Sequence, residues 1–175
     1  MKKLFAARRL VGVAVLAAVA AGITLATPSP ALAVPPTWER IQNYGTWAAA
    51  HVDTIGANAA VRQRTYNNST SGQWNAIQVN GVVDTYRFQN RYSGMCMTVG
   101  GSRLNLAPIV QTLCASNDPL QWWIRVEEPD DPAYRIYNAF TGFVLSANYG
   151  AFFEGVAMYQ TRYVRDDTSQ QWQMW

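Results

Sequence analysis

The side chains in this sequence that could do chemistry are few. His51 is the only histidine, so a Ser-His-Asp triad or a histidine-rich metal site has little material. The acidic run at residues 127–131 (Glu-Glu-Pro-Asp-Asp) suggests glycoside hydrolysis or calcium binding at first sight. Hydrolytic carboxylates must face each other across a cleft, however, and neighbours in sequence do not. We therefore predict a solvated turn there, no resident metal or cofactor, and no enzymatic activity.

The positive charge of the chain is concentrated at its start. The formal net charge is +3, but four of the 14 basic residues lie within the first nine positions. The rest of the chain carries ten Arg, no Lys and all 11 acidic residues, which gives a net charge of −1. A nucleic-acid-binding surface needs a basic patch on the folded domain. We therefore predict no nucleic-acid partner.

Residues 1–33 have the pattern of a secretory signal peptide. The basic start is followed by an uncharged apolar run of 16 residues, Leu10 to Leu25, and the small residues Ala31 and Ala33 suit a signal peptidase. A membrane span needs about 20 apolar residues, and the Pro-Ser-Pro at 28–30 interrupts any continuation. We predict cleavage after Ala33 and a secreted, extracellular protein that is not attached to the membrane.

The mature chain keeps two cysteines, Cys96 and Cys114. In an exported protein a disulfide is the default, and two free buried thiols are the alternative. A disulfide closing a loop of this size would contribute about 3 kcal/mol by restricting the unfolded chain.

A dipeptide recurs at nearly equal distances along the chain. Gln73-Trp74, Gln121-Trp122 and Gln171-Trp172 are the only Gln-Trp pairs, and 48 and 50 residues separate them. A period of this length indicates a repeated architecture. Further landmarks keep the same phase, namely Gln63, Gln111 and Gln160, then Tyr66, Cys114 and Tyr163, and the Arg-apolar-x-Asn segments that begin at Arg40, Arg87 and Arg135.

The repeats read as short strands rich in aromatic and β-branched residues, separated by Gly, Ser, Asn and Pro. The predicted strands are 86–90, 95–99, 109–113 and 121–126 in the middle repeat, and 134–138, 143–147, 157–161 and 171–175 in the last. The Ala-rich segments 46–52 and 57–61 of the first repeat could be helical when taken alone. Because the landmarks on both sides stay in phase, we interpret them as divergent strands.

Three units of four strands predict an all-β fold with pseudo-three-fold symmetry. Propeller blades are normally four or more and end in Trp-Asp, which these repeats do not. A closed three-fold barrel instead brings one indole from each repeat, Trp74, Trp122 and Trp172, into a shared core. We predict one domain, residues 34–175, with repeats at about 37–81, 84–129 and 132–175.

These features resemble the ricin B-type lectin family, whose fold is the β-trefoil. The Gln-Trp endings, the strand with Cys96, the Val110-Gln111 that precedes Cys114, and the three-fold period carry the likeness over essentially the whole mature chain. The resemblance implies a disulfide between the second and third strands of the middle repeat. It also implies sugar binding in shallow pockets, up to one per repeat. We expect a monomer that binds a glycan or polysaccharide.

The sugar-binding positions that the resemblance implies are mostly replaced. The family has an Asp on the second strand, an aromatic residue on the third, and an Asn-Gln pair before the Trp. Repeat by repeat these positions hold His51, Thr98 and Ser146, then Arg64, Thr112 and Thr161, and then Ser71-Gly72, Pro119-Leu120 and Ser169-Gln170. Only Gln170 agrees with the family. The sequence therefore predicts a lectin-like scaffold with an eroded sugar site.

If a pocket remains, the third repeat is the predicted place for it. Asn148, Tyr149, Gln160, Asp167 and Gln170 could supply amides, a ring and a carboxylate from new positions. The alternative is that Tyr149 is a packing residue and Asp167 belongs to a solvated loop. A second function class also stays open, a secreted trefoil that binds a protein partner without binding sugar, as a protease inhibitor does.

Overall fold

The strands of three repeats dominate the computed structural model, which describes residues 35–129, 132–147 and 154–175. The predicted signal peptide, Asn148 and Tyr149 lie outside the described residues. The first repeat contains β1 (Trp38–Glu39), β2 (Ile41–Asn43), β3 (Ala49–Val52), β4 (Val61–Arg64) and β5 (Trp74–Gln78). The second contains β6 (Thr85–Asn90), β7 (Cys96–Val99), β8 (Ile109–Thr112) and β9 (Trp123–Glu127). The third contains β10 (Tyr134–Asn138), β11 (Val144–Ser146), β12 (Tyr159–Thr161) and β13 (Trp172–Met174).

The first and last strands of the repeats form a closed barrel. Antiparallel pairing runs in the order β1, β5, β6, β9, β10, β13 and β2. β1 and β2 are successive parts of one strand interrupted at Arg40, so pairing β1 with β5 and β2 with β13 closes the ring. Closure leaves the barrel without a free edge, which is why these short strands are stable together.

The middle strands of each repeat form hairpins, β3 with β4, β7 with β8 and β11 with β12. Single bridges link the hairpins to each other at Ala60 with Val110, Arg62 with Ala157, and Pro108 with Tyr159. Each repeat therefore contributes two strands to the barrel and one hairpin to a layer beside it. This arrangement confirms the all-β fold of three four-stranded repeats.

Three fully buried indoles fill equivalent places in the core, and one differs from the sequence prediction. Trp74, Trp123 and Trp172 are each 0% exposed, and the side-chain Nε1 of each donates to a backbone carbonyl on the second strand of its own repeat. Those acceptors are Ala50, Met97 and Leu145, at 2.8, 3.1 and 3.0 Å. The prediction that Trp122 fills the core was wrong. The true spacing is 49 residues in both intervals, and the adjacent tryptophans had hidden it.

The asparagines of the Arg-apolar-x-Asn segments join neighbouring repeats, the second to the first, the third to the second, and the first to the third. Asn138 is fully buried, and its side-chain amide donates to the carbonyls of Leu120 and Trp122, in the second repeat, at 2.9 and 3.3 Å. Its Oδ1 accepts from the backbone of Phe140 and Thr141, which shapes the following turn. Asn43 and Asn90 make the matching bonds in their repeats. The landmark is therefore a connector between repeats.

Candidate functional site

The described residues of the site predicted in the third repeat serve the scaffold. Gln160 is fully buried, its Oε1 accepts from Thr141 Oγ1 at 2.7 Å, and its Nε2 donates to the Leu104 carbonyl of the second repeat at 2.9 Å. Asp167 caps the single-turn 3-10 helix Thr168–Gln170 through a 2.9 Å bond from Ser169 N to its Oδ1. Both side chains therefore make hydrogen bonds within the protein itself.

Gln170 has the same kind of role, and the corrected phase gives it an equivalent. Gln170 is 0% exposed, donates to the Arg162 carbonyl at 2.9 Å and accepts from Val164 N at 3.0 Å. Gln121 does the same for Leu113 and Ala115, at 2.8 and 2.9 Å. The sequence alone predicts Leu120 at that position, because it places Trp122 in the core. These glutamines brace the loop that follows the third strand.

An open polar cleft lies in the first repeat, at positions that correspond to sugar-binding positions of the family. It encloses about 440 Å³, and its lining includes all three of the positions that the family resemblance pointed to, His51, Arg64 and Ser71. β3 ends beside it and carries His51, and β4 carries Arg64 on the paired strand. Where the family places an Asp on β3, this chain has a buried imidazole. The carboxylate of the cleft comes instead from Asp53, just beyond β3.

Asp53 and Arg64 form the charged floor of the cleft. Arg64 Nε and Nη2 donate to the two carboxylate oxygens of Asp53, at 2.6 and 2.8 Å. This hydrogen bond lowers the pKa of Asp53 below its usual value and raises the pKa of Arg64. Arg62 Nε lies 3.5 Å from Asp53, and Glu154 lies 3.9 Å from Arg64. The pair stays charged in neutral solution, with fixed donors and acceptors at the cleft surface.

His51 stands at the inner end of the cleft. It is only 2% exposed, and its Nδ1 lies 3.2 Å from Ser71 Oγ. Burial lowers the pKa of His51, the nearby Arg64 lowers it further, and Asp53 and Glu154 oppose that effect. The imidazole is therefore a neutral hydrogen-bonding group that positions Ser71.

The remaining walls add a ring, hydroxyls and an amide. Tyr92 reaches the cleft from the turn after β6 and is 50% exposed. Asn67, Ser69 and Thr70 line the opposite side. Sequence reasoning had found His51, Arg64 and Ser71 by position, but it missed Asp53 and Tyr92. Asp53 lies two residues beyond the expected position, and Tyr92 comes from the next repeat.

Among the described residues, no cluster of three or more His, Cys, Asp and Glu side chains is placed to hold a metal ion. In the same part of the chain no helix has the length and apolar character needed to cross a membrane. The structure contains the disulfide between Cys96 and Cys114, which joins β7 to the segment after β8.

Comparison with known proteins agrees with this geometry. The chain is similar to a designed three-fold symmetric protein, ThreeFoil, with a TM-score of 0.72 and 21% identity over 78% of this chain and 96% of that one. It is also similar to the Macrolepiota procera ricin B-like lectin solved in complex with lactose, with a TM-score of 0.67 and 16% identity over 82% and 98%. For the Polyporus squamosus lectin bound to Neu5Aca2-6Galb1-4GlcNAc the TM-score is 0.66, at 18% identity over 79% and 48%. At these identities the likeness establishes the fold.

A search of curated protein sequences finds no significant match. The family comparison is decisive, because the family described as ricin-type beta-trefoil lectin domain-like matches residues 39–112 and 73–160. Together these matches span well over half of the chain and include the cleft-lining residues of β3 and β4. The chain belongs to the ricin-type β-trefoil lectin domain-like family.

Proposed function

We propose that the protein is a carbohydrate-binding module without enzymatic activity, and that it binds sugar in the cleft of the first repeat. The observation that carries the proposal is the paired carboxylate and guanidinium of Asp53 and Arg64 in an open cleft at the family's sugar position. Family membership supports it, as do the sugars bound to two of the similar lectins.

The chemistry of the cleft suits a pyranose. Asp53 accepts hydrogen bonds from sugar hydroxyls, and the Arg64 N–H groups donate to hydroxyl oxygens from a fixed plane. Tyr92 can cover the apolar face of the ring, because half of its surface is exposed. Asn67 and Ser71 add directional contacts that select among hydroxyl configurations. The cleft is open, so we expect weak, millimolar to micromolar binding.

The other two repeats lack this chemistry at the same positions. Thr98 and Ser146 occupy the position of His51 and are 4% and 0% exposed. Ser146 Oγ instead contacts Ser169 Oγ at 3.2 Å within the scaffold. We therefore propose one working family-position site, in the first repeat, rather than three.

The test is a glycan array followed by calorimetry on the best ligand. Asp53→Asn and Tyr92→Ala should each weaken binding by about tenfold, since each removes a group that contacts the sugar. Asp84→Asn is the matched control, an exposed carboxylate that does not line the cleft. Binding that survives both cleft variants would move the site elsewhere. No retention on any glycan would favour the alternative, a trefoil that binds a protein partner.

We also propose that the protein is secreted as a monomer after cleavage following Ala33, with no membrane attachment. The basic start, the apolar run and the small residues before the cleavage point support this. Intact mass measurement of the exported protein tests it, because a mature chain beginning at Val34 is expected.

A further inference from the structure

The arginines of the Arg-apolar-x-Asn segments are covered by tyrosines in the first and third repeats. The Arg40 guanidinium carbon lies 5.2 Å from the centre of the Tyr66 ring, and Arg135 lies 5.2 Å from Tyr163. Arg135 also pairs with Glu128 at 2.7 Å and is 1% exposed. In both repeats the arginine side chain therefore interacts with other residues of the fold.

The second repeat breaks this pattern because of its disulfide. Cys114 stands where Tyr66 and Tyr163 stand, and it is bonded to Cys96. The tyrosine that covers the arginine in the other two repeats is therefore missing at Arg87, the arginine of this repeat. Within residues 35–129, 132–147 and 154–175, the Arg87 side chain has no hydrogen bond, ion pair or ring contact. Arg87 as a whole residue is half-buried.

Arg87 lines a cleft of about 460 Å³ on the outer wall of the barrel. The amide side chains of Gln78, Asn80 and Asn117 line it as well, and no acidic residue does. The cleft is separate from that of the first repeat, since the two share no lining residue. It thus combines one positive charge with several neutral hydrogen-bonding groups.

Trp122 also lines this cleft, and it is the additional indole that only this repeat has beside its core tryptophan. At its position the other two repeats have Gln73 and Gln171. The register that pairs Tyr86 with Trp123 brings Arg87 opposite Trp122 on the outer face of the barrel. Trp122 is half-buried, and its Nε1 is buried without a partner among the described residues, so the accessible part of the ring is carbon. Such a surface suits the apolar face of a pyranose.

We propose that this cleft is a second saccharide-binding site, and that it takes an acidic saccharide, one bearing a carboxylate or a sulfate. The Arg87 guanidinium holds the anion through two parallel hydrogen bonds, Trp122 stacks on the sugar ring, and the three amides bind its hydroxyls. The site lies outside the family's sugar positions. The proposal does not depend on sugar binding in the cleft at Asp53, because the two clefts share no lining residue.

The experiment is calorimetric titration of the purified protein with three oligosaccharides of equal length, a hexuronate, a sulfated one and a neutral one. Because the cleft at Asp53 can itself take a neutral sugar, the ligands are compared in Asp53→Asn, where at least one acidic ligand should bind and the neutral ligand should bind at least about tenfold more weakly. Arg87→Gln should weaken acidic binding by at least about tenfold. Trp122→Gln installs the residue of the other repeats and should weaken it about three- to tenfold, with the fold intact.

A charge-matched control makes the outcomes decisive. Arg165→Gln removes the same charge from an exposed arginine that does not line this cleft, and it should leave binding unchanged. Loss in Arg87→Gln and Trp122→Gln alone supports the proposal, and the preferred ligand then tells carboxylate from sulfate. An equal loss in Arg165→Gln, binding that persists in Arg87→Gln, equal affinity for the neutral ligand, or no acidic binding would overturn it.

Discussion

Gly72 occupies the position of Gln121 and Gln170, and the reason is a neighbouring side chain. A Cβ at Gly72 would overlap the imidazole of His51. In the other repeats the residue facing this position is small, Thr98 or Ser146, which leaves room for the glutamine. The first repeat therefore has a large residue, His51, beside a glycine, where the other repeats have a small residue beside a glutamine. Without the glutamine side chain, the loop after the third strand loses its hydrogen bonds to it, and the first-repeat cleft is open.

Gly72→Gln should destabilise the protein by about 1–3 kcal/mol, because the added side chain overpacks a buried site. Adding His51→Ser should recover most of that loss, since the pair then matches Ser146 and Gln170 of the third repeat. Urea unfolding of the two single variants and the double variant measures the coupling. A Gly72→Gln protein as stable as the parent would contradict this packing, and so would single-variant losses that simply add.

Acid should weaken the fold through His51. Burial first, and Arg64 second, lower its pKa in the folded state, while the unfolded histidine titrates near the ordinary value of 6.5. As the pH falls below that value, the unfolded state takes up a proton that the folded state resists. Stability is then lost until the lowered folded pKa is passed.

Urea midpoints at pH 7.5 and 5.0 measure this loss, which His51→Gln should reduce. Asp53 is not expected to contribute in this window, because its pKa is lowered from 3.8 and its share of stability is lost only at more acidic pH. An unchanged pH dependence in His51→Gln would assign the loss to other groups.

At the scale of the repeat, the second and third strands are held in two different ways. In the third repeat Val144 and Tyr163 occupy the positions that Cys96 and Cys114 occupy in the second. The covalent tie spans 18 residues of sequence, and its removal should cost about 3 kcal/mol. Because Cys114 takes the place of the tyrosine, no tyrosine ring from that position lies over Arg87 in this repeat.

Cys96→Val combined with Cys114→Tyr transfers the packing of the third repeat to the second. It should be about 1–2 kcal/mol more stable than Cys96→Ser with Cys114→Ser, because buried apolar area replaces polar hydroxyls. It should also lose acidic saccharide binding, because the tyrosine ring would cover Arg87. Chemical unfolding and titration of both double variants test the two effects. Equal stability of the two variants would show that the packing does not transfer between repeats.

The strand pattern was predictable where each strand lies between clear turns. Segment 134–138 was predicted and is β10. In the first repeat, segment 57–61 was predicted as a strand, but β4 is Val61–Arg64. The earlier residues form a turn in which Asn58 has a positive φ of 63°. Alanine-rich sequence gives no signal that separates such a turn from a strand.

The site was less predictable than the fold, because site residues are defined by space and not by period. Asp53 belongs to no landmark, and Tyr92 enters the first-repeat cleft from the second repeat. Gln160, a repeat landmark, and Gln170, the one residue that agrees with the family, are predicted from sequence as sugar-binding amides, but only the coordinates show their bonds to backbone and neighbouring side chains. Periodicity identifies residues that all repeats share, and these are mostly structural.

For the molecule as a whole, three-fold symmetry predicts how much each core tryptophan contributes to the free energy of unfolding. If Trp74, Trp123 and Trp172 are equivalent, removing any one of them should cost a similar free energy. Each is fully buried and makes one hydrogen bond to its own repeat. Substitution of each by Ala should therefore cost about 3–5 kcal/mol in urea unfolding.

Trp122 supplies the contrast, because it is the same residue type one position away on the outer face of the barrel. Trp122→Gln should cost less than about 1 kcal/mol, since the other two repeats have glutamine at that position and fold in the same way. Trp123→Gln is the matched comparison and should behave like Trp123→Ala, because a buried amide would replace the indole without its packing. A loss in Trp122→Gln as large as that in Trp123→Gln would mean that the repeats are not in the phase described.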